Sequence, residues 1–206
     1  MRRSRANRAQ STRSSGAVNQ APSRQMCNPY APMELMDESQ LEDIHQASLK
    51  LLCKVGMDFQ SPRAVDILRR AGAMVDADGL RVRFDPDWLM QTIATTPKSF
   101  LLHGRRPDRH LTMGGNSTAF AMVASTPNVS DLDRGRVTGN YDDFCNLLRL
   151  GESLNSVQLQ AGFPVEPCDV PVNTRHLVAG AAMARLTTKP IGGYALGRQR
   201  MQDVID

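Results

Sequence analysis

Strand-like and helix-like segments alternate from Thr118 onward in this 206-residue chain, and that order constrains the fold more than any other feature. Short apolar runs between turn residues have the length and composition of strands, and longer stretches with apolar spacings of three and four are typical of helices. The predicted strands are 118–123, 157–161 and 190–194; the predicted helices are 141–150, closed by Gly151, then 173–186, and one beginning near Arg198. Alternation with short links indicates parallel strands and crossover helices. The predicted fold class is α/β.

A β-hairpin is predicted within this order. Val129 to Asp131 and Arg136 to Thr138 are short alternating segments, and Asp133-Arg134-Gly135 lies between them. Asp followed closely by Gly is common in hairpin turns, because Gly accepts the left-handed backbone conformation that such turns need.

Helices are also predicted before the alternating region. The first begins near Ser39, with Glu42 in a capping-box position, and ends at Gly56. Its apolar residues form one stripe: Leu41, Ile44, Leu51, Leu52 and Val55. A second helix is predicted from Ser61-Pro62 to Gly72, and a third from Asp85-Pro86 to a point before Pro97. Strands are predicted at 81–84 and at 99–103, and the second of these is expected to enter the main sheet. The segment 105–110 is expected to be irregular.

The number of strand–helix units sets the architecture. A (β/α)₈ barrel needs about 250 residues, and only about three units follow the helical region here. We therefore predict the N-terminal part of a TIM barrel, apparently truncated, preceded by a helical region. The expected divisions are a disordered basic tail at 1–36, the helical region at 37–98, and the first strands and helices of an incomplete barrel at 99–206.

Composition excludes several classes of protein. No apolar run reaches the about 20 residues that a membrane span requires, and no apolar stretch follows the basic N-terminus, so we expect a cytoplasmic protein with no membrane partner. The four cysteines contain no CxxC or CxxH pair, so no metal site is predicted. Arginines concentrated before residue 25 would suit a nucleic-acid-binding arm, but no aromatic residue accompanies them, which favours a solvated tail over binding to nucleic acid.

Two long tracts carry a resemblance to a known family. They are LEDIHQASLKLLCKVGMDFQSPRAVDILRRAGAMVD, from Leu41 to Asp76, and RVRFDPDWLMQTIATTPKSFLLHGRRPDRHLTMGG, from Arg81 to Gly115. The order of their predicted elements and their residues resemble the N-terminal part of the trimethylamine methyltransferase family. The resemblance implies a TIM barrel that moves a methyl group from trimethylamine, or from a quaternary amine such as a betaine, to a corrinoid in methylamine metabolism and methanogenesis. It also implies that the corrinoid belongs to a separate partner protein, so that this chain itself holds no cofactor.

Candidate substrate-binding residues follow from the rule that barrel ligands meet the carboxyl ends of the strands. A quaternary ammonium is held by aromatic faces and a nearby carboxylate, and an arginine suits the carboxylate of a betaine. The candidates are His103, Arg105, Phe120, Phe163, Glu166 and Tyr194. Each also has an ordinary structural explanation, as a core or solvated residue. No residue here matches a catalytic residue of the family, whose reactive centre is expected beyond Asp206, so the catalytic residue is left unassigned.

An alternative function stays open. Half a barrel would leave unpaired sheet edges, which invite pairing with another chain. The chain would then be a catalytically inactive fragment that acts as a binding or scaffold module. The oligomeric state also stays open, a homo-oligomer included.

Overall fold

The computed structural model describes residues 18–31, 33–193 and 197–205. They divide into two compact units, one formed by 29–100 and the other by 18–28 together with the described residues from 101 onward. The helices are α1 (Glu38–Lys54), α2 (Pro62–Ala71), α3 (Pro86–Ala94), α4 (Tyr141–Ser153), α5 (Arg175–Leu186) and α6 (Arg198–Ile205). The strands are β1 (Met26–Cys27), β2 (Met57–Asp58), β3 (Met74–Val75), β4 (Arg81–Arg83), β5 (Ser99–Leu102), β6 (Leu111–Gly114), β7 (Ser117–Thr118), β8 (Asn128–Asp131) and β9 (Gly135–Thr138). The mixed α/β class is confirmed.

The N-terminus of α1 is capped two residues earlier than predicted. The Asp37 carboxylate accepts a hydrogen bond from the Gln40 amide at 2.9 Å, and the Gln40 side chain accepts one from the Asp37 amide at 3.1 Å. This reciprocal capping box replaces the one predicted for Ser39 and Glu42, because Asp37 and Gln40 offer the same pair of groups two residues earlier. The predicted apolar stripe of α1 is largely exposed, and Leu49 is the buried residue of the helix.

The unit formed by 29–100 packs its helices on a small antiparallel sheet. Its strand order is β2-β4-β3, with Val82 of the central strand opposite both Met57 and Val75. Val65 of α2, Ala73, Val82 and Phe84 form its buried core, and the Phe84 ring stacks on that of Trp88. The predicted caps of α2 and α3 are confirmed, because Ser61 and Asp85 each accept a hydrogen bond from the amide three residues later.

The other unit buries α4 and α5 against the segment that follows residue 160. Phe144 and Leu148 of α4 and Met183 of α5 are fully or almost fully buried, together with Phe163 and Val165. Small residues on α5, Ala179 and Ala182, allow the two helices to approach closely. This core positions the segment 163–168, which forms part of the candidate site.

The parallel segments predicted in this unit are shorter than expected. Ala121 forms a parallel bridge with Leu159, and Gln160 forms one with Ile191. Among the residues that the structure describes, none of the three predicted strands, 118–123, 157–161 and 190–194, is a regular strand along its length. β7 ends at Thr118, and the last residue of the run 190–194 lies outside the described residues. The parallel order of these segments is as predicted, and the barrel itself stays a prediction.

Three local predictions in this unit are wrong. β5 pairs with β6 in a two-stranded sheet rather than entering the parallel set. Residues Pro107–Arg109 form a short 3₁₀ turn where irregular structure was predicted. Helix α4 continues through Gly151 to Ser153. A Cβ at Gly151 would collide with the side chain of Gln160, so this glycine permits close packing of helix and strand rather than ending the helix.

Residues 18–28 are ordered against the rest of their unit, although they fall within the tail predicted to be disordered. The Gln25 side chain bonds to both the amide and the carbonyl of Thr112, at 2.8 and 2.7 Å, and β1 pairs with β7 in antiparallel fashion. The Gln20 side chain likewise bonds to the Asn155 amide and the Ser153 carbonyl. Residues 1–17, which hold most of the arginines of that tail, lie outside the described residues.

None of the helices in the described part of the chain has the length and apolar content that a membrane span requires.

Two glycines with nearly the same backbone conformation allow a matched test of the first unit. Gly56 and Gly79 have φ of +74° and +72°, but a Cβ on Gly56 would lie 2.5 Å from the Val82 carbonyl oxygen, whereas one on Gly79 would meet open space. We expect Gly79→Ala to cost about 1 kcal/mol from left-handed strain alone. Gly56→Ala should cost about 2–4 kcal/mol, because the steric clash adds to the strain.

Urea unfolding followed by the fluorescence of Trp88, the sole tryptophan of the chain, measures both free energies. Equal losses for the two variants would contradict the predicted contact between Gly56 and Val82.

Candidate active site

A cavity of about 360 Å³ lies at the carboxyl ends of the parallel segments. Ser125 follows the segment that contains Ala121, and Phe163 and Glu166 follow the one that contains Leu159 and Gln160. The cavity is lined by Ser125, Phe163, Glu166, Val172, Arg175, His176 and Arg200. Two of the six predicted site residues, Phe163 and Glu166, are thus brought together at the end of the strands where the barrel rule expects ligands.

Phe163 forms the apolar wall of the cavity. Its side chain is only 6% exposed, and its ring meets that of Phe144 edge-on, with 5.4 Å between the ring centres. Its carbonyl accepts a hydrogen bond from the Ser125 amide at 2.8 Å, which ties the two parallel segments together beyond their bridge. Phe163 therefore serves both the core and the cavity.

Glu166 and Arg175 form an ion pair across the cavity. The nearest oxygen and nitrogen are 3.6 Å apart, and both side chains are largely buried. The Arg175 guanidinium also donates to the carbonyls of Val170 and Cys168, at 2.9 and 3.3 Å. The Glu166 amide also donates to the Thr126 carbonyl at 2.8 Å, so the backbone and the side chain of Glu166 each have a partner at the cavity wall.

His176 and Asp203 form a second polar pair beside the first. Nε2 of His176 lies 2.7 Å from a carboxylate oxygen of Asp203, and the His176 side chain is only 10% exposed. Nδ1 of His176 is buried without a hydrogen-bond partner. The carboxylate favours a proton on Nε2, and in the neutral ring Nδ1 then has a lone pair that can accept a hydrogen bond. Arg200, from the same helix as Asp203, completes this side of the cavity and donates to the Val172 carbonyl at 3.4 Å.

Four residues at or beside this cavity were not predicted from the sequence: Arg175, His176, Arg200 and Asp203. Arg175 and His176 open α5, directly after the loop that carries Glu166, so their position in the first helical turn was a usable signal. Arg200 and Asp203 come from α6, and nothing in their local sequence points to this cavity.

Phe120 lies in a different cavity. That cavity measures about 550 Å³ and lies between residues 18–26 and the segment 154–158, which leads into the parallel segment at Leu159. The Phe120 carbonyl accepts hydrogen bonds from the amides of Gln158 and Leu159. Phe120 is therefore at the amino end of the parallel segments, away from Phe163 and Glu166.

His103 and Arg105 are also placed apart from the cavity of Phe163. The Arg105 guanidinium donates to the carbonyls of Ala184 and Thr187, at the C-terminus of α5, which supplies a cation where the helix dipole favours one. The His103 ring meets that of His110 edge-on, with 4.6 Å between the ring centres. Tyr194, the remaining candidate, lies outside the described residues.

A buried lysine lies at the amino end of the parallel segments. Lys189 is 1% exposed, and its ammonium group donates to the carbonyls of Gly151 and Leu154 at the C-terminus of α4. Burial lowers the pKa of Lys189 to about 8, and Glu152 offsets part of that effect. Glu152 accepts hydrogen bonds from the side chains of Thr187 and Thr188; burial raises its pKa, but these bonds outweigh it and the net pKa is lowered.

Within the described residues, no group of three or more His, Cys, Asp or Glu side chains could hold a metal ion. The cavity at the carboxyl ends is lined by an aromatic side chain, a carboxylate, two guanidinium groups and an imidazole.

The sequence matches the family described as Trimethylamine methyltransferase (MTTB) over residues 1–206. The chain belongs to this family. The predicted family membership is confirmed, and it accords with an aromatic face and a carboxylate at the carboxyl ends of parallel segments.

Individual relatives differ in the amine that their names give. The chain is 27% identical over 172 residues to a glycine betaine methyltransferase of Desulfitobacterium hafniense, a match that covers 84% of this chain and 36% of the relative. It is 30% identical over 136 residues to a trimethylamine methyltransferase of the same species, covering 65% of this chain and 27% of the relative. A proline betaine:corrinoid methyltransferase of Eubacterium limosum is 37% identical over 62 residues, or 30% of this chain and 12% of the relative. The chain spans about a third or less of the length of these family members.

The lowered pKa of Lys189 predicts how stability depends on pH. Its folded pKa of about 8 lies below the ordinary value of 10.5, so between these values the unfolded chain binds the extra proton. Stability should therefore rise with pH, by about 1–2 kcal/mol between pH 7.5 and 9.5. Urea unfolding at several pH values measures this gain.

Lys189→Met is the control for this prediction. The variant should be less stable at every pH, because two carbonyls lose their donor. The gain between pH 7.5 and 9.5 should disappear with the lysine; a variant that keeps the full gain would show that another group causes it.

Proposed function

We propose that this protein is a methyltransferase that moves a methyl group from a quaternary amine bearing a carboxylate, of the betaine class, to a corrinoid on a separate protein. The observation that carries the proposal is the composition of the cavity at the carboxyl ends: an aromatic face and a carboxylate beside two guanidinium groups. The names of the relatives, which include glycine betaine, proline betaine and carnitine methyltransferases, support the same substrate class.

The ammonium group would lie against Phe163 and Glu166. A quaternary ammonium has no N–H to donate, so it is held by the face of an aromatic ring and by a nearby negative charge. Phe163 is fixed by its contact with Phe144. The backbone of Glu166 is held by the hydrogen bond from its amide to the Thr126 carbonyl, and its side chain by the ion pair with Arg175. Both groups are therefore held in place before the substrate arrives, which lowers the entropy lost on binding.

The carboxylate of the substrate would be bound by Arg200, and Arg175 would add positive charge. Glu166 already neutralises part of the Arg175 charge, and Asp203 is engaged by His176, so Arg200 supplies the charge that a substrate carboxylate can still use. A betaine would thus lie with its two ends matched to opposite charges. Trimethylamine, which lacks a carboxylate, would leave the charge of Arg200 without a counter-ion from the substrate.

The protein would contribute orientation to the transfer. The carbon–nitrogen bond breaks, its electron pair stays on nitrogen as the tertiary amine, and the methyl group passes to the reduced cobalt of the partner. Holding the ammonium rigidly at the mouth aligns one methyl group with the acceptor, and alignment of this kind accelerates a reaction between two molecules. In the proposed TIM barrel this mouth would be the carboxyl-end face of the strands.

An Arg200 variant tests the role given to the carboxylate. In the full-length gene product, Arg200→Gln should raise KM for glycine betaine about tenfold or more, because a charge-assisted hydrogen bond is lost. The KM for trimethylamine, if that amine is turned over at all, should stay within about twofold, since it makes no such contact. The assay is methyl transfer to the reduced corrinoid protein.

Arg198→Gln is the matched control, because Arg198 is exposed in the first turn of the same helix and does not line the cavity. Equal effects of Arg200→Gln on both amines would contradict the assignment of the carboxylate to Arg200. A wild-type protein that methylates no corrinoid with any methylated amine would contradict the proposed reaction and favour the inactive binding or scaffold module.

A further inference from the structure

The hairpin formed by β8 and β9 carries an exposed leucine at its tip and rises from the wall of the candidate active site. We infer that this hairpin is a docking element for the corrinoid protein, with Leu132 as its apolar anchor. The inference rests on the proposed function, because it takes the identity of the partner from it.

The base of the hairpin is attached to the cavity wall by backbone hydrogen bonds. The Gly139 amide donates to the Pro127 carbonyl at 3.0 Å, which closes the base of the hairpin. The Cys168 amide donates to the Gly139 carbonyl at 3.1 Å, and the Glu166 amide donates to the Thr126 carbonyl at 2.8 Å. The hairpin therefore stands next to the loop that carries Glu166.

The tip of the hairpin is held rigidly by a network around Arg134. The Asp131 carboxylate accepts hydrogen bonds from the amides of Asp133 and Arg134, at 2.9 and 2.7 Å, and another from the Arg134 side chain at 2.6 Å. The Arg134 guanidinium also reaches both oxygens of Asp143, at 2.7 and 3.2 Å, in the first turn of α4. Since Asp143 is almost fully buried, the network attaches the turn to the core of the unit.

Leu132 is fully exposed at the centre of this braced turn. A single exposed leucine is common on protein surfaces and needs no explanation by itself. Here, however, the turn that presents it is ordered before any partner arrives, so binding would cost little conformational entropy. A preorganised apolar side chain surrounded by polar groups is the arrangement expected of an interface anchor with a polar rim.

The position of the hairpin selects the corrinoid protein as its occupant. The methyl acceptor must come within bonding distance of the substrate, so its carrier must approach the end of the parallel segments where Phe163 and Glu166 lie. The hairpin lies at that end because it follows Ser125 directly in the chain and is bonded to the loop of Glu166. A carrier that reaches the cavity would meet an element that projects from its wall.

The test compares two methyl acceptors in the full-length gene product. Leu132→Asp should raise KM for the corrinoid protein by roughly tenfold or more, because a charge replaces the apolar anchor. The rate with free reduced cobalamin, which needs no docking, should be unchanged. Leu132→Met should keep KM for the corrinoid protein within about twofold of wild type, since it preserves the apolar surface.

Leu150→Asp is the control, because Leu150 is also exposed and belongs to the same unit, but lies in the last turn of α4 beside the carbonyl of Gly151 that binds Lys189. An unchanged KM for Leu132→Asp, or an equal loss of rate with both acceptors, would overturn the docking role while leaving the proposed function in place. A wild-type protein that methylates neither acceptor would instead overturn the proposed function, and the docking role with it.

Discussion

The edge-on contact between Phe144 and Phe163 joins the core of the larger unit to the cavity. Phe144 projects from α4 into a core that also contains Leu148, Val165 and Met183, and that core is the main apolar support for the segment 163–168. Aromatic pairs of this geometry contribute about 0.5–1.5 kcal/mol beyond the burial of their area. The greater consequence is positional, because Phe163 cannot move without disturbing the core. The aromatic face proposed for the substrate is therefore as rigid as the interior of the protein.

Buried polar and charged groups lie at both ends of the parallel segments. At the amino end, Lys189 donates to two helix carbonyls and Glu152 accepts from two threonines, so these buried groups are fully engaged with the protein. At the carboxyl end, Nδ1 of His176 is buried without a partner. A buried polar group without a partner costs about 1–3 kcal/mol, so it is retained only where something else is gained. Nε of Arg109 and the side-chain amide of Gln160 are also buried without a hydrogen-bond partner, so such groups are not confined to this cavity.

Local signals in the sequence predicted local structure well. The caps at Ser61 and Asp85, the stop at Gly72 and the turn around Gly135 were all predicted from residue types within a few positions, and the structure confirms them. Predictions that needed the third dimension were less successful. Gly151 looked like the end of a helix, but it is a packing position whose reason is Gln160, a neighbour in space rather than in sequence.

The candidate site shows the same division between local and tertiary information. Phe163 and Glu166 could be predicted because both follow one apolar run directly, so the strand rule alone assigned their end. Phe120 belongs to the predicted strand 118–123, but the parallel bridge in that run is at Ala121. Phe120 therefore lies just before the bridge, at the amino end, and not after it at the carboxyl end. Arg200 and Asp203 reach the cavity from a helix whose own sequence carries no trace of that contact. Only tertiary structure can bring such residues into a list of candidates.

The charges that α6 adds change what the cavity can recognise. Phe163 and Glu166 alone would suit any methylated ammonium, and such a cation–π contact contributes about 0.5–2 kcal/mol whatever else the substrate carries. A charge-assisted hydrogen bond to a carboxylate adds about 1.5–3 kcal/mol, but only for a substrate that has one. In the proposed function, discrimination among methylated amines would therefore depend more on Arg200 than on Phe163. Because Arg200 and Asp203 lie on the same short helix, the group proposed to bind the substrate carboxylate and the group that orients His176 are positioned together.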